Sequence, residues 1–190
     1  MHIAHVNIGI ARPLMADGRR VLSGIGKQPA AGPVAVGRLG LAGDEQADLS
    51  VHGGLDKAVY AYPAEHYAFW QARRKTQGVS LFEEELPPGF MGENLTLHGL
   101  LETQVWVGDT LHFPDFCLRV TEPRQPCFKF NAVMGYPEAA RDMVQSGGCG
   151  WYLAVVQPGT LAAGQAFTLE PGRRGLAIPV AFASKRAKPG

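Results

Sequence analysis

The sequence predicts a mostly β domain, a barrel or sandwich with a few short α-helices, and three observations carry that prediction. Apolar runs of strand length recur along the chain, 24 glycines and 14 prolines punctuate it, and no regular alternation of strand and helix patterns is present. With 190 residues, 46% hydrophobic and 18% charged, the chain has the size and composition of one globular domain able to bury roughly 70% of its unfolded surface. Residues 1–183 are assigned to that domain. Residues 184–190, rich in Lys and Arg with a proline and a terminal glycine, read as a frayed tail.

In chain order, residues 3–10 and 34–41 alternate or run apolar at strand length, and residues 58–62 and 95–97 make shorter strands. Residues 105–113 read as strand, Gly108-Asp109 turn and strand, and residues 117–121, 151–156 and 167–169 complete the set. Three stretches read as helical. Residues 63–75 open with proline at a first helical position and set Ala64, Tyr67 and Trp70 at helical spacings. Residues 128–134 form a short helix directly after Cys127, and residues 137–145 place Ala139, Ala140, Met143 and Val144 on one face before Gly147-Gly148. The apolar run at 176–183 is short and broken by Pro179, well under a membrane span.

Composition excludes several classes of function. Lys and Arg number 18 against 17 Asp and Glu, a formal charge of +1, and no basic stripe interleaved with aromatics exists, so nucleic acid is not an expected partner. A nucleobase-like small substrate stays open. Cys117, Cys127 and Cys149 make an odd count without C-x-x-C spacing, which argues against a disulfide framework and against a structural zinc or iron–sulfur site. The first five residues have neither a basic n-region nor an apolar h-region, so a soluble, cytoplasmic protein with no membrane partner is expected.

Pro123-Arg124-Gln125-Pro126-Cys127-Phe128-Lys129 sets a thiol beside two cations. The thiolate is both nucleophile and metal ligand, and neighbouring Arg or Lys favours that charged form. Pro123 and Pro126 stiffen the segment into a non-helical loop able to hold a sulfur in place, and a helix starting at Cys127 would add positive potential there. The plain alternative is a buried small hydrophobe packed beside Phe128 and Phe130. A second cluster runs Gly40-Leu41-Ala42-Gly43-Asp44-Glu45-Gln46-Ala47-Asp48, then Val51-His52-Gly53-Gly54-Leu55-Asp56-Lys57-Ala58. Glycines let backbone approach a ligand closely and successive N–H groups form anion sites, so His52-Gly53-Gly54 followed by Lys57 suits a phosphate or similar oxyanion. Alone it is equally a plain turn, and it matches neither the Walker pattern nor the dinucleotide fingerprint.

Together these motifs resemble the MOSC domain, the family named for the C-terminal domain of molybdenum cofactor sulfurases, in its YiiM-like branch. The segments Gly40 to Gln46, Val51 to Ala58 and Tyr62 to Trp70 carry the resemblance, with Phe90-Met91-Gly92-Glu93-Asn94-Leu95, the Pro123 to Lys129 segment and Gly150-Trp151-Tyr152 following in collinear order. The resemblance spans residues 1–172. It implies a closed, distorted β-barrel that binds the molybdenum cofactor, with Cys127 as metal ligand and catalytic centre and with Lys57, Arg124 and Lys129 as cations for the cofactor. His52 has two readings, a hydrogen bond to the cofactor or a cap on the glycine turn. Asn94 likewise either lies near the cofactor or ends a turn. Asp44 is an acid or a turn residue, Asp48 is read as structural, and His66 as structural or on the surface.

Two functions follow from the resemblance. In the first, the protein is an oxidoreductase that reduces N-hydroxylated compounds, such as hydroxylaminopurines and amidoximes, with electrons from a separate flavin or iron–sulfur protein. In the second it is a sulfur or cofactor carrier, using a Cys127 persulfide without turnover of its own. YiiM-like proteins commonly carry a helical extension after the barrel, and this chain ends at Gly190, soon after Gly175. Electron delivery and homodimer formation stay open on that account.

Overall fold

A computed structural model describes residues 1–47, 53–80, 82 and 84–184. The chain opens with β1 (His2–Ile8), then a hairpin of β2 (Arg12–Ala16) and β3 (Arg19–Ser23), the two-residue β4 (Gln28–Pro29), and a second tight hairpin of β5 (Val34–Gly37) and β6 (Gly40–Leu41). The run at 34–41, expected as one strand, folds back because Val36 pairs with Leu41 and Gly37 with Gly40. The β2–β3 hairpin turns at Asp17-Gly18, both at positive φ as a primed two-residue turn requires.

A 3₁₀ turn, Leu55–Lys57, leads into β7 (Val59–Pro63), and a second, Ala64–His66, into α1 (Tyr67–Thr76). Pro63 thus ends a strand, and the α-helix starts four residues later than its position suggests. Then come β8 (Leu95–His98), β9 (Thr110–His112), β10 (Cys117–Pro123), α2 (Phe128–Met134), α3 (Ala139–Ser146), β11 (Trp151–Gln157), β12 (Gly159–Leu161), β13 (Thr168–Glu170) and α4 (Ile178–Ser184). The first arm expected at 105–113 is reduced to one bridge between Trp106 and Ala177. Helix α4 forms across the run that Pro179 interrupts, because proline in a first helical turn removes no intrahelical bond. No helix of the described residues is long and apolar enough to cross a membrane.

Eight strands form the main sheet in the order β13-β9-β10-β11-β7-β8-β1-β4. All neighbours are antiparallel except β7 and β8, whose parallel pairing is bridged by the crossover that carries α1. The expected closed barrel is not formed. No pairing joins β13 to β4, and the sheet stays open. The sheet comes nearest to closure at the start of β1, where His2 bridges Ala166 and Ile3 exchanges backbone hydrogen bonds with Gln165 and Gly164 at 2.9 and 2.7 Å. Beyond that point residues 162–165 turn on their own bonds, Gln165 N–H to Ala162 O and Ala162 N–H to Gln165 Oε1.

The core is continuous from the sheet to α1 and α2. Every residue of β7 is buried, as expected of a strand covered on both faces. Trp70 of α1 is fully buried, sets its ring edge-on to Phe130 at 5.2 Å, and donates its indole N–H to Tyr62 Oη at 2.6 Å. Tyr62 in turn donates to Gly148 O at 3.2 Å, so one indole ties α1 to β7 and to the entry of β11. Arg73 adds an ion pair to Asp142 of α3.

Just before β8 lies a fully buried carboxyl. Glu93 Oε1 accepts Tyr67 Oη–H at 2.5 Å, Thr96 Oγ1–H at 2.7 Å and Gly89 N–H at 2.9 Å, and Thr96 Oγ1 accepts Asn7 Nδ2–H at 3.0 Å. Glu93 Oε2 and Asn7 Oδ1 have no partner among the described residues. Burial pushes the Glu93 carboxyl above its ordinary range, against the hydrogen bonds from Tyr67, Thr96 and Gly89 that favour ionisation.

Two outcomes follow from this packing. Trp70→Ala empties one of the two largest buried side-chain sites and removes the indole donor to Tyr62 Oη, and it is expected to lower stability by about 3–5 kcal/mol, read from the urea midpoint. For Glu93 the raised pKa means that folding binds a proton. Its contribution to stability is fullest below the unfolded carboxylate value and is lost as pH rises through the folded one. Glu93→Gln keeps an acceptor and cannot ionise, so the variant should gain on the wild type as pH rises above the ordinary carboxylate value of about 4. Parallel pH profiles for the two proteins would show that Glu93 titrates normally.

Candidate functional site

Five chain segments converge at one end of the main sheet: residues 23–27 after β3, 44–47 after β6, the 3₁₀ turn before β7, 91–94 before β8, and 124–129 after β10. They line a cleft that opens to solvent and holds about 100 Å³ of interior space. Cys127, Lys57, Arg124, Lys129 and Asn94 all line it, so five of the six expected site residues meet there. The sixth, His52, lies outside the described residues, as does Asp48.

Cys127 is half-buried and caps the N-terminus of α2 with extended backbone (φ −129°, ψ 171°), its carbonyl accepting Phe130 N–H at 2.9 Å. Helix α2 spans the residues that the sequence indicates, because Pro126 keeps Gln125 out of the helical region, Cys127 stays extended as the N-cap, and Gly135 takes the left-handed conformation that ends it. The sulfur therefore stands at the junction of a stiff loop and a helix. Arg124, 5% exposed, enters from the end of β10, where its N–H reaches Gly150 O at 3.4 Å. Its guanidinium lies over the rings of Phe130 at 4.7 Å and Tyr60 at 5.5 Å, and Nη1 donates to Met143 Sδ at 3.2 Å. Burial works against this cation, but Tyr60, Tyr152 and Cys127 outweigh it and raise the Arg124 pKa above its ordinary value.

The other cations have separate anchors. Lys57 pairs with Glu122 at 3.5 Å and faces the Tyr152 ring at 5.7 Å, while Lys129 donates to Leu22 O at 3.0 Å and so ties α2 to the β2–β3 hairpin. Asn94 sits deeper, 4% exposed, with its carboxamide bonded to protein groups on both sides. Asp44, read as an acid or a turn residue, forms a buried ion pair with Lys27. His66 bonds Glu102 at 2.8 Å, away from the cleft.

The structure adds Lys27, Tyr60, Tyr152 and Met91 to the cleft. Tyr60 and Tyr152 are cross-strand partners on β7 and β11, 5.4 Å apart, and burial raises both phenol pKa values, so both stay neutral. A signal for Lys27 was present in Gly24-Ile25-Gly26-Lys27, where flexible backbone precedes a cation. The tyrosines carried none, since aromatic residues in a strand read first as core. Chemically the cleft offers one thiol, four cationic side chains, the carboxylates of Asp44 and Glu45, two neutral phenols and an apolar wall, a set able to meet a thiophilic centre on an anionic, partly aromatic ligand.

Comparison with known proteins agrees with this geometry. A family model described as the MOSC domain matches residues 48–168. The protein YiiM of Escherichia coli (strain K12) is 40% identical over 141 residues, 74% of this chain and 61% of its own length. A protein named as a reductase from Gibberella moniliformis (strain M3125 / FGSC 7600) is 35% identical over 155 residues, 81% of this chain but only 27% of that larger protein. Among solved structures, the crystal structure of YiiM from Geobacillus stearothermophilus superposes with a TM-score of 0.75 at 32% identity, covering 98% of this chain and 84% of the other. The chain therefore belongs to the MOSC domain family, in its YiiM-like branch.

Proposed function

We propose that this cleft holds a molybdenum cofactor with Cys127 as the metal ligand, and that the protein reduces N-hydroxylated compounds of the hydroxylaminopurine or amidoxime type. The observation that carries the reading is the convergence of Cys127 with Lys57, Arg124 and Lys129 in one cleft, from segments far apart in sequence. The donor set fits the group. A cysteine sulfur suits a thiophilic metal, and the cations suit the cofactor's phosphate. Among the described residues, the buried Arg124 guanidinium has a single hydrogen-bond acceptor, the weak Met143 sulfur, which leaves donors for an anion. The name of the fungal relative supports the class of reaction.

When bound, the cofactor supplies two-electron chemistry. Overall, the N–O bond of the substrate is cleaved, two electrons and two protons are taken up, and amine and water leave. A separate flavin or iron–sulfur protein provides the electrons. The chain's own residues bind and orient: Arg124, Lys57 and Lys129 hold anionic oxygens, and Tyr60 with Tyr152 narrows the cleft against bulk water. All three cysteines are free, in keeping with a reducing cytoplasm.

The test is the molybdenum-to-protein ratio, measured by elemental analysis on wild type and Cys127→Ser purified from a host rich in the cofactor. Near-stoichiometric metal is expected in the wild type, with loss in the variant at unchanged folding and followed by viologen-driven reduction of a hydroxylaminopurine. Metal retained by Cys127→Ser sinks the ligand assignment. Metal absent from both, with a persulfide on Cys127, would make the protein a carrier.

A further inference from the structure

Asn94 matches a cofactor-proximal position of the family, yet its carboxamide is spent on the protein. Oδ1 accepts Tyr60 N–H at 3.1 Å, and Nδ2 donates to Asn7 O at 3.3 Å and to Asp44 Oδ2 at 2.9 Å. Both donor hydrogens are thereby used. The Asp44 carboxylate also accepts Gly9 N–H at 2.9 Å on Oδ1, and Lys27 Nζ pairs with that same oxygen. The side chains of Lys27 and Asp44 are 7% and 3% exposed.

The Lys27 backbone is equally confined. Gly89 stands at φ +84°, and a Cβ there would lie 2.9 Å from Lys27 O, so only glycine lets the two segments approach this closely. Main chain and carboxylate together hold the Lys27 side chain in place, and Lys27 lines the cleft. An ammonium carries three N–H donors, and among the described residues Asp44 is its only acceptor. Leaving such donors unmet inside a protein is costly, and the cleft is where another acceptor can enter.

We infer that Lys27 contacts the ligand of this cleft, donating to one of its oxygens, and that Asn94 acts through Asp44 as a positioning residue. This inference rests on the reading of the cleft as a cofactor and substrate site. The shared chemistry is an oxygen acceptor, which belongs either to the cofactor or to the N-hydroxyl group of the substrate, and the experiment separates the two.

Lys27→Met is compared with Lys27→Met/Asp44→Asn, the double variant leaving no buried carboxylate unpaired. Circular dichroism verifies the fold, and both molybdenum content and KM against kcat in viologen-driven turnover are measured. If the acceptor belongs to the cofactor, molybdenum content falls about tenfold or more in both variants, the loss expected for one charged hydrogen bond. If it belongs to the substrate, metal content holds and KM rises by a similar factor. Unchanged metal and unchanged kinetics overturn the inference while the cofactor reading stands, whereas a metal-free wild type overturns both. Asn94→Ala provides the remaining arm: a residue acting through Asp44 and Lys27 adds no further loss on a Lys27→Met background, and an additive loss overturns the positioning role.

Discussion

Asn94 completes the hydrogen bonding at the point where three strands separate, and the cleft depends on it. Its N–H donates to Tyr60 O at 2.8 Å and its carbonyl accepts Asn7 N–H at 2.7 Å, so its backbone lies between β7 and β1 one residue before β8 begins. The side chain then satisfies Tyr60 N–H and Asn7 O, which the diverging ladder leaves behind. A buried backbone group without a partner costs as much as a lost hydrogen bond or more. One carboxamide thus lets the sheet open at this end without that cost, and its last hydrogen reaches Asp44 on the neighbouring loop. A leucine there would fill the space and leave those groups unpaired.

The opening admits the charged groups. Lys27 and Asp44 are buried as a pair, and a pair with added hydrogen bonds is the form in which a low-dielectric site tolerates charge. Arg124 is held differently, by ring faces and a thioether, with no carboxylate to neutralise it among the described residues. The cleft therefore combines a neutralised cation with one that keeps its charge. Cys127 sits between the chemistry of that cation and the end of α2.

Legibility in the sequence varied with the range of the deciding interaction. Helix α2 was readable because Pro126 and Gly135 bracket it locally, and most strands were placed to within a residue or two by their apolar patterns. The β2–β3 hairpin passed unread despite Asp17-Gly18, since its flanking residues are largely exposed and do not alternate in polarity. Residues 34–41 read as a single strand because Arg38 and Leu39 carry no turn chemistry, and the fold-back rests on the pairing of β5 with β6, with Gly40 at positive φ. Closure was expected from family resemblance, and the contact between β1 and residues 164–166 stays a single bridge with two flanking hydrogen bonds.

By itself the sequence determined the β-rich class, the family, and the residues that bring a thiol, cations and glycine turns within short stretches of chain. The class and the residues follow from local composition and spacing, and the family from the resemblance of its motifs. Tertiary structure alone decided that the Cys127 segment faces the Lys57 turn, that the Asn94 side chain is consumed by the protein, and that Lys27 enters the cleft beside them. The partners concerned lie 87 residues apart for Asn94 and Asn7, 50 for Asn94 and Asp44, and 17 for Lys27 and Asp44. Hydrogen-bond satisfaction across such separations is settled only when burial forces each polar group to find whatever neighbour packing has brought to it.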